Sequence, residues 1–113
     1  MKEHPLAEQS LDFAVKVVKL CNDIERNTVL KNQVLRSATS IGANIREGIY
    51  AASGGDFVNK YQIALKECYE TEYWLNILLR ADIVNAATIT PLMHLCGNIR
   101  RMLIASITTI KKG

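Results

Sequence analysis

Apolar residues recur three and four positions apart along most of the chain, the period of a helix with one buried face. The first such stretch opens at Pro5, whose missing N–H and fixed φ suit a first helical position. Leu11, Ala14, Val17, Val18, Cys21 and Ile24 carry its apolar stripe, and Phe13 and Leu20 widen it. Asn22-Asp23 and Asn27-Thr28 bracket a short turn, with Asn27 or Thr28 the predicted N-cap of the next helix. That helix carries Leu30, Val34, Ala38, Ile41, Ile45 and Ile49, with Gly48 near its end. Ser53-Gly54-Gly55-Asp56 breaks the pattern, and Ser53 and Asp56 have capping-box spacing. A third helix places Phe57, Tyr61, Ala64, Leu65, Cys68, Leu75, Leu78 and Leu79 on one broad face. After a connection over Asp82 to Ile89, Thr90-Pro91 reads as N-cap and first residue of a fourth helix. Leu92, Leu95, Cys96, Ile99, Met102, Leu103, Ile107 and Ile110 form its stripe, and Lys111-Lys112 suit the negative end of its dipole.

Four helices of roughly 20 residues joined by short loops predict an all-α, antiparallel up-down-up-down bundle. The 113 residues form one domain, 1–113, with no visible repeat. Composition agrees: 49% hydrophobic and 22% charged residues favour a packed core over disorder, and 6 Gly with 2 Pro disfavour a many-turned β fold. No apolar run approaches the roughly 18 residues of a membrane span. The opening segment Met1 to Leu11 has no apolar core, so no export signal is expected there. Three cysteines without such a signal point to reduced thiols in the cytoplasm.

The net charge of +3 is unevenly spread. Residues 28–52 hold three basic residues against one acid, and residues 82–113 hold four against one, whereas each of the other two segments is net −1. A monomer this weakly basic binds phosphate poorly, because affinity scales with the cations presented. A symmetric oligomer multiplies the patch.

Motifs for chemistry are lacking. A di-metal carboxylate centre in a bundle needs Glu-x-x-His pairs on two helices, yet Glu67 is followed three positions later by Glu70. His4 precedes the first helix, and His94 reads as a partly exposed residue of a first helical turn. Cys21, Cys68 and Cys96 lie on apolar stripes and read as small core residues. There is no P-loop, dinucleotide fingerprint, zinc spacing or nucleophile elbow. No catalytic residue, metal or cofactor is expected.

The segment Gln33 to Gly48 is unusual. Beside its apolar stripe runs a second one of Gln33, Ser37, Ser40, Asn44 and Glu47. Ala38, Gly42 and Ala43 allow another helix to come close, and Gly42 costs the helix about 1 kcal/mol relative to Ala. The polar stripe is therefore either a subunit contact or packing within the subunit. On the third helix Ile63, Glu67, Glu70, Trp74 and Ile77 share a face, where the two carboxylates are either solvated or paired with Arg36 or Arg46.

Arg36-Ser37-Ala38-Thr39-Ser40-Ile41-Gly42-Ala43-Asn44-Ile45-Arg46-Glu47-Gly48 resembles the signature of the four-helix-bundle proteins encoded in 23S rRNA intervening sequences. Asp56-Phe57, Ala64-Leu65-Lys66-Glu67, Glu70-Thr71 and Tyr73-Trp74-Leu75 are similar to that family's third helix, and Pro5-Leu6 and Phe13-Ala14 to its first. The family is similar in turn to the accessory variability determinants of diversity-generating retroelements. Those are homopentameric barrels of four-helix subunits that bind nucleic acid and a reverse transcriptase. The resemblance thus implies a pentamer.

Two functional expectations follow. One is a non-enzymatic oligomeric module that binds RNA or DNA, or a ribonucleoprotein, through pooled charge on Lys31, Arg36, Arg46, Arg100, Arg101, Lys111 and Lys112. The other is a protein-binding scaffold, for a partner such as a polymerase, with Tyr50, Tyr61, Tyr69 and Tyr73 as candidate surface aromatics. Two usable faces on the first helix, and the extra stripe on the second, imply a neighbouring subunit. Ser37, Ser40, Asn44, Glu47 and Gly48 are the candidate contact residues, with Arg36, Glu67, Glu70 and Trp74 beside them.

Overall fold

Each helix starts where its first N–H groups find an acceptor or where the backbone turns sharply. The computed structural model describes residues 4–112, so Lys2 and Glu3 of the polar opening segment lie outside the described residues. Helix α1 spans Pro5–Asn22, and His4 caps it by accepting the Ala7 N–H on Nδ1 at 3.3 Å. Helix α2 spans Thr28–Ile49. Asn27 stands at its N-cap in the left-handed region, with φ 60°, and caps through its carbonyl, which accepts the Lys31 N–H, rather than through its side chain. Helix α3 spans Gly54–Arg80, where Ser53 Oγ accepts the Asp56 N–H at 3.1 Å as its spacing predicts.

Helix α4 spans Ala86–Lys112 and begins earlier than Thr90-Pro91 suggests. Asn85 is the cap: its Oδ1 accepts the Thr88 N–H at 3.0 Å, and its carbonyl accepts that of Ile89. Pro91 therefore lies inside the helix, and His94 sits beyond the first turn. The proline removes the bond that Ala87 would have received, but Ala87 is exposed and its carbonyl can turn to water.

Neighbours in sequence pack as neighbours in space, α1 on α2, α2 on α3, α3 on α4, and α4 back on α1. The diagonal pairs do not meet, so the four helices stand at the corners of a square, an up-down-up-down bundle 45 × 27 × 22 Å across. Phe13, Val17, Ile41, Ile45, Leu75, Leu78, Ile99 and Leu103 fill the interior. Every buried side-chain nitrogen or oxygen among the described residues has a partner.

The stripe of α1 is turned from its expected position. The bundle buries Leu6, Phe13, Val17, Leu20, Cys21 and Ile24, and leaves Leu11, Val15 and Val18 exposed. Consecutive residues are about 100° apart around a helix, and Val18 falls on the far side of Val17 from Phe13 and Leu20, outside the arc that the neighbouring helices cover. The larger Phe13 and the run back to Leu6 win the core. Tyr61 is likewise no surface aromatic: it is 1% exposed, with its ring 4.1 Å from that of Phe57.

Gly42 faces the backbone of Ser10 on α1, 3.6 Å from where a Cβ would stand, as close helix packing there requires, whereas Gly48 makes room for a ring of α3. A Cβ on Gly48 would stand 2.7 Å from the Tyr61 ring, whereas one on Gly42 would meet Ser10 Oγ at 3.3 Å. Gly48→Ala gains about 1 kcal/mol of helix propensity but forces a packed ring to move, which typically costs about 1–3 kcal/mol. Urea unfolding should show a net loss of stability. A stabilised Gly48→Ala protein would mean that the ring yields freely.

Candidate functional site

The polar stripe of α2 runs along the seam with α3 and over its edge. Ser37 is fully buried; its hydroxyl donates to the Val34 carbonyl and accepts the Thr71 hydroxyl at 2.9 Å. The same Thr71 proton is shared with the Glu67 carbonyl, 2.8 Å from its oxygen. Ser37 therefore packs inside the subunit. Ser40 and Asn44 are half-buried and bond to each other, with the amide donating to Ser40 Oγ at 3.0 Å. Glu47 leaves the seam and pairs with Lys60 of α3 at 3.0 Å.

Arg36 closes the same seam from outside. Its guanidinium meets Glu67 at 3.4 Å and also bonds Glu70, while Gln33 accepts its Nε–H at 3.2 Å. Trp74 Nε1 donates to Glu70 at 3.0 Å, so both carboxylates of the α3 face are engaged. Half-exposed pairs of this kind contribute little to stability. Their effect is on charge, because Arg36 is neutralised where it stands.

The other candidate cations do not converge. Lys31 turns back on the α1–α2 turn, donating to the Ile24 carbonyl at 3.2 Å. Arg46 is exposed beside a shallow α1–α2 groove of about 330 Å³, lined also by Leu11, Ala14, Thr39, Gly42 and Ala43. Arg100 pairs with Glu72 at 3.0 Å. Arg101, Lys111 and Lys112 are exposed on α4 and make no ion pair among the described residues. Helices α2 and α4 are diagonal, so no single patch of one subunit unites these charges.

Two arrangements escaped the sequence reading. Glu72, Arg100 and Tyr69 form a cluster across α3 and α4, with the guanidinium 5.5 Å from the ring centre. Gly97 makes room for it: a Cβ there would lie 3.4 Å from Arg101 Nη1 and 3.5 Å from Arg100 Nη2. A glycine inside a helical stripe was the available signal. The second is the Thr71 hydroxyl, which sits among apolar positions and whose partner lies 34 residues away.

The thiols are all free and buried. Among the described residues no three of His, Cys, Asp and Glu gather as a metal site would require. No described helix is long and apolar enough to cross a membrane.

A family model described as 23S rRNA-intervening sequence protein matches residues 2–105. Among solved structures, the chain is similar to a protein of unknown function from the S23 ribosomal protein family of Bacteroides thetaiotaomicron VPI-5482. The two share 42% identity over 90% of this chain and 97% of that one, with a TM-score of 0.86. No curated protein matches.

Burial sets the pH response. It pushes the Cys21 thiol and the Tyr61 hydroxyl up, and hydrogen bonding with Cys68, followed by burial, pushes Cys96 up. Each group keeps its proton in the folded chain at a pH where the unfolded chain has lost it. The stabilisation is whole below the unfolded values of 9.0 and 10.0 and is lost as pH climbs beyond them. The urea midpoint should therefore fall between pH 8 and pH 11, and Tyr61→Phe should flatten the upper part of that fall. A midpoint that holds level to pH 11 would contradict this.

Proposed function

The chain belongs to the family of 23S rRNA-intervening sequence proteins, and from that premise we propose that it is a non-enzymatic, self-assembling helical-bundle module that binds RNA. The apolar face of α1 carries this reading. Leu11, Val15 and Val18 are 49%, 43% and 39% exposed, spaced so that they line one side of the helix, and Leu11 also lines the α1–α2 groove. Aliphatic side chains left in water beside a groove floored by Gly42 and Ala43 favour a second copy of the same surface or of its complement. The resemblance to the pentameric barrel proteins of diversity-generating retroelements supports a ring of five.

Assembly also answers the charge problem. One subunit has a net charge of only +3, with its cations on diagonal helices. A ring repeats Arg46, Arg101, Lys111 and Lys112 in every subunit and accumulates a potential that no monomer offers. The printed names of the family and of the B. thetaiotaomicron protein, which refer to 23S rRNA and to the ribosome, support RNA over DNA as the partner. Buried, reduced thiols suit a reducing compartment such as the cytoplasm.

The wild-type protein should scatter light as a multiple of 12.6 kDa, five copies for the ring. Val15→Glu places a charge on the α1 face without touching the core, and should give folded monomers whose helical signal is unchanged. RNA retained by the wild type should be lost steeply as salt rises, and the Val15→Glu monomer should retain less at every salt concentration. A monomeric wild type would end the assembly reading, and absence of RNA binding at low salt would end the RNA reading.

A further inference from the structure

The outward ridge of α3 differs in chemistry from the α1 face. Helical spacing puts Lys66, Tyr69, Tyr73, Asn76 and Arg80 on one line, all exposed, with the two rings 52% and 60% in water. No carboxylate and no exposed aliphatic side chain interrupts it. The acids on its flanks are already engaged, Glu67 and Glu70 by Arg36 on the α2 side, and Glu72 by Arg100 on the α4 side. What remains on the ridge is positive charge and aromatic surface.

Neighbouring α4 adds to both. The Arg100 guanidinium lies over the Tyr69 ring, and Arg101 folds alongside it across Gly97. At the other end of the ridge, Tyr73 borders a shallow recess of about 510 Å³ floored by Ile77 and Ala81 and edged by Asn76 and Arg80.

We propose that this α3–α4 face binds single-stranded RNA, with bases stacked on Tyr69 and Tyr73 and with Lys66, Arg80 and Arg101 set against the phosphates. Every base has a π-face, so exposed rings flanked by cations accept a strand without reading its sequence. A duplex hides its base faces and gains only the charge term. A protein partner would be met instead by an aliphatic centre, which the α1 face has and this ridge lacks. The proposal rests on the RNA reading above and gives it a place: the bases contact residues outside the seven cations singled out by sequence.

Trp74 is the chain's single tryptophan, and its ring centre is 5.1 Å from that of Tyr73. Its fluorescence therefore reports on stacking at Tyr73. The test titrates the full chain with a twelve-nucleotide oligoadenylate and with an RNA duplex of equal length, following both Trp74 emission and the anisotropy of labelled RNA. The single strand should bind more tightly and change the emission. Tyr69→Ala and Tyr73→Ala should each weaken binding about fivefold or more, Tyr73→Phe should hold affinity, and Arg101→Gln should reduce the salt slope by about one. All three positions are exposed, and urea midpoints equal to wild type check that folding is intact. If the wild type binds RNA and both alanine variants stay within twofold, this placement is wrong while the RNA reading stands. If the wild type binds no RNA at low salt, both fall. A change of oligomeric mass in the tyrosine variants would make the ridge a protein contact and overturn the proposal.

Discussion

The close seam between α2 and α3 is the constraint on which the rest of the molecule is built. At one level Ser37 and Thr71 exchange a hydroxyl bond in the dry interior, and two turns or more along, Gly48 lies against the Tyr61 ring. Hydroxyls at such a place are costly unless bonded. Here Ser37 donates to the Val34 carbonyl, and the single Thr71 proton is shared between Ser37 Oγ and the Glu67 carbonyl, so neither hydroxyl is left without a partner. With the two backbones held this near, Arg36 reaches Glu67 and Glu70 from one side, and Lys60 reaches Glu47 from the other. The charged residues of both helices thus settle along the edges of the seam, and Tyr69 and Tyr73 of α3 are left on its outward ridge.

Helix α1 is held differently. It has no seam of small residues across its full length, and it is the shortest of the four at 18 residues against 27 for α3 and α4. Its packing surface lies at a corner between α2 and α4, which takes up one stripe and leaves the next one uncovered. A helix with a second apolar face is uneconomical for an isolated subunit, since exposed Leu and Val add nothing to its own stability and promote association.

Much of this was legible from residue order. The existence and type of all four helices followed from apolar spacing, and the Ser53 cap from its spacing to Asp56. The sequence left the α3 carboxylates either solvated or paired with Arg36 or Arg46, and the fold selects Arg36. Other features required three dimensions. Thr90-Pro91 has every local mark of a helix start, but Asn85 captures the Thr88 N–H first and the helix is already under way. Val17 and Val18 are interchangeable in a pattern, and only the direction of the bundle axis distinguishes them. Tyr61 and Tyr73 are alike in a sequence, yet one stacks on Phe57 inside and the other stands in water. The cations were countable in advance, but not their neutralisation, because Arg100 finds Glu72 across 28 positions of chain.

The two uncovered surfaces stand on diagonal corners of the square. The backbones of α1 and α3 are not adjacent, so copies joined through the aliphatic face of α1 would leave the aromatic ridge of α3 in solvent. The chemistry of the faces reinforces this division. Leu11, Val15 and Val18 offer no donors or charges, and a nucleic acid gains nothing from them, whereas Lys66 and Arg80 on the ridge would oppose a like-charged copy of itself. A subunit built this way can present the same positive, ring-bearing ridge once per copy around an assembly, at a separation set by the width of the bundle, about 22–27 Å. A strand long enough to span two ridges would then bind a second site at high effective concentration, so modest contacts on each subunit add up to tight retention.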